Sequence, residues 1–244
     1  MKNSSKVVEF PLSSTKKISI KITKKRMKNI RLRISKSGIV SLSVPNSTSF
    51  NFAYEFLVKK RPWIISQLNQ INLNISKNCC NFSNLGNVFL LGNSYPLILK
   101  PSSKNNVIFD ISKTESNFII YTKNLQQEYV KQIFIKWCKT YFLNFFNTRL
   151  QQLYTKIFSN NNYPLVKIKA MKSMWGNCNF CRRIITLNLY LCKTPIECID
   201  YVIIHELVHL SHPNHSKDFY NQLSIFMPDW KNKKNKLNNY CLQF

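Results

Sequence analysis

Acidic residues are scarce: ten Asp and Glu stand against 36 Lys and Arg among 244 residues, a formal charge of +26. Glycine and proline are also few, at 4 and 9, which excludes collagen-like and low-complexity chains. No uncharged apolar run reaches about 18 residues, so no membrane-spanning helix is expected. The leading MKNSSKVVEFPLSS has no signal-type apolar stretch, so no export signal is read and a cytoplasmic location is expected. What the chain does have is apolar substance. Hydrophobic residues make up 44% and aromatics 13%, enough to fill a core and exclude general disorder. The length suits one or two domains.

A charge of this size attracts polyanions, among them DNA, RNA and anionic membrane. Lysine dominates, and a compact ammonium suits backbone attraction better than base readout. Compositional drift in a Lys-, Asn- and Ile-rich chain is the competing account. The eight cysteines are expected reduced. Cys178 and Cys181 form a CxxC, but a structural metal site needs a second pair. Cys192 and Cys198 are awkwardly spaced for it, so cysteines on neighbouring strands are the preferred reading.

Along the chain, apolar residues first alternate with period two: Ile18, Ile20, Ile22; Ile30, Leu32, Ile34; Val40, Leu42, Val44. That is a half-buried sheet. Its wet face carries Lys17, Lys21, Arg31 and Arg33, the candidate polyanion contact, with an ordinary solvated face as the alternative. A helix follows over about 49–68, kinked or split at Pro62, with Phe52, Phe56, Ile64 and Leu68 inward. Residues 69–84 read as a loop and 86–100 as a hairpin turning at Gly92-Asn93. Short strands are expected near 107–111 and 118–121. A long helix over 125–158, capped by Asn124, carries Val130, Ile133, Phe134, Trp137, Tyr141, Phe145, Leu150, Leu153 and Ile157 inward. Strands are expected at 165–171 and 184–191, and no internal repeat is visible. The expected architecture is α+β: a basic, mostly antiparallel β-rich region over 1–123, packed with a helical and β domain over 124–244.

All four histidines lie between His205 and His215, in YVIIHELVHLSHPNHSKDF. His205, Glu206 and His209 form HExxH. Thr194-Pro195-x-Glu197 reads as a helix start, and Ile199, Ile203, Leu207 and Leu210 as its buried stripe. His205 and His209 then lie one turn apart, about 40° around the axis, so both rings can meet one ion. Imidazoles so arranged suit Zn²⁺, and Glu206 is placed for a water on the metal. A catalytic zinc needs a third protein ligand. On an unbroken helix His212 would lie about 10 Å along the axis from His205. Pro213 argues for a break, after which the chain can return His215 beneath the ion. Ser216 then starts the next helix. His215 is therefore preferred over His212, which reads as a surface or helix-end residue.

These residues carry a family resemblance. The stretch from KSMWGNC (172–178) through ITLNLYL (185–191), IDYVIIHELVHL (199–210), NHS (214–216) and Phe219 to Pro228-Asp229-Trp230 resembles the YgjP-like metallopeptidase domain family, relatives of SprT-like zincins. The leading basic strands and LGNSYPLIL (91–99) resemble it more loosely. The resemblance implies a zincin-like C-terminal domain, His205, His209 and His215 as Zn²⁺ ligands and Glu206 as catalytic acid/base. It departs at Met174, where the family pattern has Arg. The expectation is a zinc peptidase acting on a protein or peptide through metal-activated water, with Glu206 as general base. The strand near 184–191 would hold the extended substrate. Alternatives are a basic module associated with DNA or RNA, among them a protease of DNA-bound proteins, and a zinc-binding protein without catalysis.

Overall fold

The computed structural model describes residues 4–35, 38–109, 117–242 and 244, with backbone alone for 72–78. The chain forms two compact units, Met1–Lys77 and Asn78–Phe244. The position 123/124 read from composition falls inside the second unit, between a strand and the long helix.

The first unit holds β1 (Ser5–Pro11), β2 (Lys17–Lys25), β3 (Arg31–Ile34), β4 (Val40–Pro45), α1 (Phe50–Lys59) and α2 (Arg61–Asn78). The sheet order is β1-β2-β4-β3. Its outer pairs are antiparallel and its central pair β2/β4 is parallel. Alternation decides the faces: Ile20, Ile22, Val40, Leu42 and Val44 are buried and share a core with Ala53, Leu57 and Ile64 of the helices. Ser49 caps α1 by accepting from the Phe52 N–H at 3.1 Å. The helix expected here is split rather than kinked, and Pro62 occupies the first turn of α2, where a missing N–H costs nothing. Phe52 is 55% exposed, so its inward reading is corrected. The expected loop over 69–84 is also corrected, because α2 runs on to Asn78. Its Asn-rich sequence carries no apolar stripe from which a helix could be read.

The second unit opens with β5 (Asn87–Leu90), β6 (Asn93–Pro101), β7 (Asn106–Ile108) and β8 (Phe118–Thr122), ordered β5-β6-β8-β7. Its senses are again antiparallel, parallel and antiparallel. The first sheet's topology is thus duplicated, a repeat hidden in sequence because the two sets of strands share pattern rather than residues. Residues 110 and 111, expected in a strand, lie outside the described residues. The β5–β6 turn is Leu91-Gly92, one residue earlier than read, with both φ positive at 49° and 87°.

Helix α3 (Gln127–Ile157) buries Val130, Phe134, Cys138, Phe142, Phe146, Leu150 and Tyr154. Of the residues read as inward, Val130, Phe134, Leu150 and Leu153 are buried, while Ile133, Trp137, Tyr141, Phe145 and Ile157 pack partly buried against the same core, and Cys138, Phe142, Phe146 and Tyr154 complete the buried face. Asn124 is not its cap; the N-cap is Gln126, with no side-chain bond. A third sheet follows, β9 (Leu165–Lys169), β10 (Gly176–Asn179) and β11 (Ile184–Asn188), in order β10-β11-β9. A 3-10 turn (Leu189–Lys193) leads to α4 (Ile196–Val208), α5 (Lys217–Phe226) and α6 (Trp230–Asn238). Among the described residues, four of the six strand pairs before residue 124 are antiparallel, in line with the mostly antiparallel region expected there.

The start of α4 is pinned from two sides. The Leu91 and Gly92 N–H groups donate to the Cys192 and Lys193 carbonyls, at 2.7 and 2.9 Å. A Cβ on Gly92 would come within 2.9 Å of the Pro195 ring, so this close approach needs glycine. Arg149 of α3 grips Asp200 of α4 through two bonds, at 2.6 and 2.7 Å. The Asp200 carboxylate accordingly raises the Arg149 pKa, chiefly through those bonds. Among the described residues, no helix is long and apolar enough to cross a membrane.

Candidate metal centre

Helix α4 is apolar on most sides, with Ile199, Val202, Ile203, Leu207 and Val208 all buried, which fixes it inside the second unit. Its start differs from the expected capping box. Thr194 donates its hydroxyl to the Leu191 carbonyl at 2.9 Å, and the N-cap position is Pro195. Glu197 reaches instead to Lys236 of α6, which holds its carboxyl below the usual range.

His205 lies in the last turn of α4, and His209 follows its final residue. The chain then turns through Pro213 and restarts at Ser216, which caps α5 through the Phe219 N–H at 3.3 Å. That reversal returns His215 to the other two. The ring centroids are 4.9 Å apart for His205–His209, 5.0 Å for His205–His215 and 4.7 Å for His209–His215. One nitrogen from each ring lies within 4.8 Å of the others. His205 Nε2 and His215 Nε2 are 3.1 Å apart. His209 Nδ1 faces the His212 carbonyl at 3.0 Å; with the proton on Nδ1, Nε2 is left as the free lone pair. His212 thus takes part through its backbone while its ring stays outside the cluster.

Phe219 is a member of this site that spacing alone does not reveal. It is fully buried, and its ring lies 4.9, 4.6 and 4.7 Å from those of His205, His209 and His215. It forms a common apolar floor under the three imidazoles. Its sequence signal is slight: an aromatic residue three positions after a serine cap.

Glu206 is 5% exposed, and burial pushes its carboxyl up to about 8. Burial likewise lowers His205 to about 3, with smaller contributions from His209, His215 and Lys234. His209 is also lowered, again mainly by burial. Facing Glu206 is Gly176 of β10. A Cβ there would stand 2.6 Å from Glu206 Oε1 and 2.8 Å from its Cγ, so any other residue would require the Glu206 side chain to move.

The strand bearing Gly176 is held by Asn188. Its buried Nδ2 donates to the Met171 and Met174 carbonyls at 2.8 and 2.7 Å, and its Oδ1 accepts from the Met171 and Tyr190 N–H groups. Asn188 therefore shapes the approach to the site and does not enter it. Tyr190 packs on Phe244, while Tyr201 lines the cleft, its hydroxyl raised to about 12 mainly by burial.

The cleft is about 480 Å³, lined by Gly176, Asn177, Cys178 and Phe180 on one side and by His205, Glu206, His209 and His215 on another, with Lys234 also present. Met174, where the family pattern has Arg, lies at its rim, 45% exposed. Strand β11 has both edges occupied, by β9 and β10, so it cannot accept a further strand. The edge beside the site belongs to β10, which corrects the expectation for 184–191. A larger cavity of about 620 Å³, along α3, contains no His, Cys, Asp or Glu. No disulfide joins the eight cysteines, and among the described residues Cys178 and Cys181 are not gathered with Cys192 and Cys198 into a metal site. Lys17, Lys21, Arg31 and Arg33 are exposed on the first unit.

No curated protein matches the chain. Among the solved structures that match, two show slight likeness. One is the metallopeptidase zymogen abylysin of Pyrococcus abyssi, at 22% identity over 38% of this chain and 90% of that one, TM-score 0.35. The other is jannalysin of Methanocaldococcus jannaschii, also a metallopeptidase zymogen, at 23% identity over 38% and 92%, TM-score 0.34. Likenesses this slight do not bear on function. The family of YgjP-like metallopeptidase domains, in contrast, matches residues 28–240, which include every element of the three-histidine site. The chain belongs to the YgjP-like metallopeptidase family and is a metal-dependent peptidase acting on proteins or peptides.

Proposed function

We infer that the metal is zinc, held by His205, His209 and His215, and that Glu206 is the general acid/base of peptide-bond hydrolysis. The observation that carries this reading is the convergence of three imidazole nitrogens within 4.8 Å beside one buried carboxylate. The donor set fits the ion. Tetrahedral zinc with bonds of about 2.0–2.1 Å separates its nitrogens by about 3.3 Å, and His205 and His215 stand at 3.1 Å. An all-imidazole set also suits zinc better than calcium or magnesium, which take oxygen. Bound there, zinc supplies Lewis acidity, acidifying a water molecule and polarising the scissile carbonyl.

The side chains do the rest. Burial raises the affinity of the Glu206 carboxylate for a proton, so in its ionised form it is a base that can take one from the attacking water and return it to the departing amine. Gly176 keeps that carboxylate unobstructed. The free edge of β10 offers backbone N–H and C=O groups to an extended peptide, aligning it across the cleft. Phe219 and the His212 carbonyl fix the ring orientations in advance.

Replacing Glu206 by Gln tests this. The variant is expected to retain one zinc per chain by elemental analysis and to lose about 10²–10⁴-fold of its activity on a labelled unfolded protein. Undiminished cleavage by Glu206→Gln would remove the proposed role.

A further inference from the structure

The outer face of the first sheet is one-sided in charge. Through residue 77 the sequence has 16 Lys and Arg against two acids, Glu9 and Glu55. The helices of that unit cover one face of its sheet through Ile20, Ile22, Leu42 and Val44. The residues alternating with them point the other way. Register aligns these into rows: Lys21 opposite Ser41 opposite Arg33, and Thr23 opposite Ser43 opposite Arg31. Lys17 and Lys25 continue the face along β2, and all five cations are exposed. Eight residues of strand separate Lys17 from Lys25, about 27 Å, and the Lys21–Arg33 row spans two strand spacings, about 10 Å. Glu9, on the same face, is engaged with the Ser19 hydroxyl at 2.6 Å.

Compositional drift does not account for this face, because the chain carries its own control. The second sheet has the same strand order and senses. There the matching outward row is Ile98 opposite Ile119 opposite Ile108. One topology in one chain thus presents Lys-Ser-Arg in the first copy and three isoleucines in the second. The next outward row of the second sheet is Lys100 opposite Tyr121 opposite Asn106, so that face carries one cation beside three isoleucines and a tyrosine where the first carries five cations, and the fold does not demand cations at these rows.

We propose that this face binds double-stranded nucleic acid through its phosphates. Ammonium and guanidinium groups interleaved with hydroxyls match phosphate oxygens. The outward positions of β1 to β4 include no aromatic residue, so the stacking platforms on which single strands are held are missing. A duplex keeps its bases stacked and presents two regular rows of phosphates, which a cationic face without stacking aromatics can meet. Binding is sequence-tolerant, and it is independent of whether the histidine site cleaves peptides.

The test uses the full chain and a labelled 20-base-pair DNA duplex, followed by anisotropy from 50 to 200 mM salt. One variant combines Lys21→Gln, Arg31→Gln and Arg33→Gln. A control removes equal charge from the second unit with Lys104→Gln, Lys136→Gln and Lys139→Gln. Each phosphate that is no longer neutralised should flatten the slope of log K against log salt by about 0.9, so the face variant should flatten it by about 2.7 and the control by less than about 1. Equal effects of the two variants, or weak and salt-independent binding by the unaltered chain, overturn the proposal. Tighter binding of a single-stranded 20-mer, or displacement of the duplex by polyglutamate at matched charge, overturns the choice of partner. Lysine acylation of the unaltered protein gives a readout that needs no variant: the duplex should shield Lys17, Lys21 and Lys25, and unchanged labelling of these three also overturns it.

Discussion

At the scale of single residues, the metal centre is sensitive to one methyl group. Gly176→Ala would place a Cβ against Glu206 Oε1 and Cγ and force the carboxylate aside. A displacement of about 1 Å in a catalytic group costs on the order of 10²-fold in rate. We expect Gly176→Ala to bind metal normally by elemental analysis while kcat falls by about that factor. The histidines separate in a similar way. His212 supports the site through its carbonyl, which alanine retains, whereas His215 offers a ring nitrogen. His215→Ala should therefore lose zinc in dialysis against a chelator far sooner than His212→Ala. The opposite order would move the third ligand to His212.

At the scale of elements, α3 and α1 show how far periodicity reaches. Both helices were legible from apolar spacing, but the face each buries was only partly so. In α3 the residues at 130, 134, 138, 142, 146, 150 and 154 point inward, a stripe that includes Cys138 and Tyr154, while Trp137, Tyr141 and Phe145 flank it. So many aromatics surround this helix that hydrophobicity alone cannot choose among faces. Phe142, fully buried, should cost about 3–5 kcal/mol on replacement by alanine, through forfeited transfer energy and a residual cavity. Phe52, 55% exposed, should change stability by less than about 0.5 kcal/mol. Urea unfolding followed by circular dichroism distinguishes the two, and equal destabilisation would show that the buried stripe is misassigned.

At the scale of the whole molecule, the metal centre joins segments that are separate along the chain. The end of α4 and the residues before α5 bring the imidazoles, and β10 brings the glycine that clears Glu206. A ligand that binds only this assembled arrangement stabilises it by mass action, by about 2.7 kcal/mol at a free concentration 100 times the Kd. Zinc added to metal-free protein should therefore raise the melting temperature of the second unit. The same addition should leave a His205→Ala/His209→Ala variant unmoved. The duplicated four-strand topology belongs to this scale as well, because strand order and sense arise from pairing between segments and are not written in any one of them.

The division between sequence and structure follows the range of the interactions involved. Ligand spacing one helical turn apart, the break at Pro213 and the cap at Ser216 are local. HExxH and the third histidine could therefore be read from a few consecutive residues, as could the cationic face with its period of two. Long-range packing decided what the sequence left open. It set β10 rather than β11 as the free edge, placed Phe219 beneath the rings, turned the Asn188 amide into the support of the 171–174 segment, and set Gly176 against Glu206. Each of these joins residues from different elements, and a contact of that kind exists only once the chain has folded.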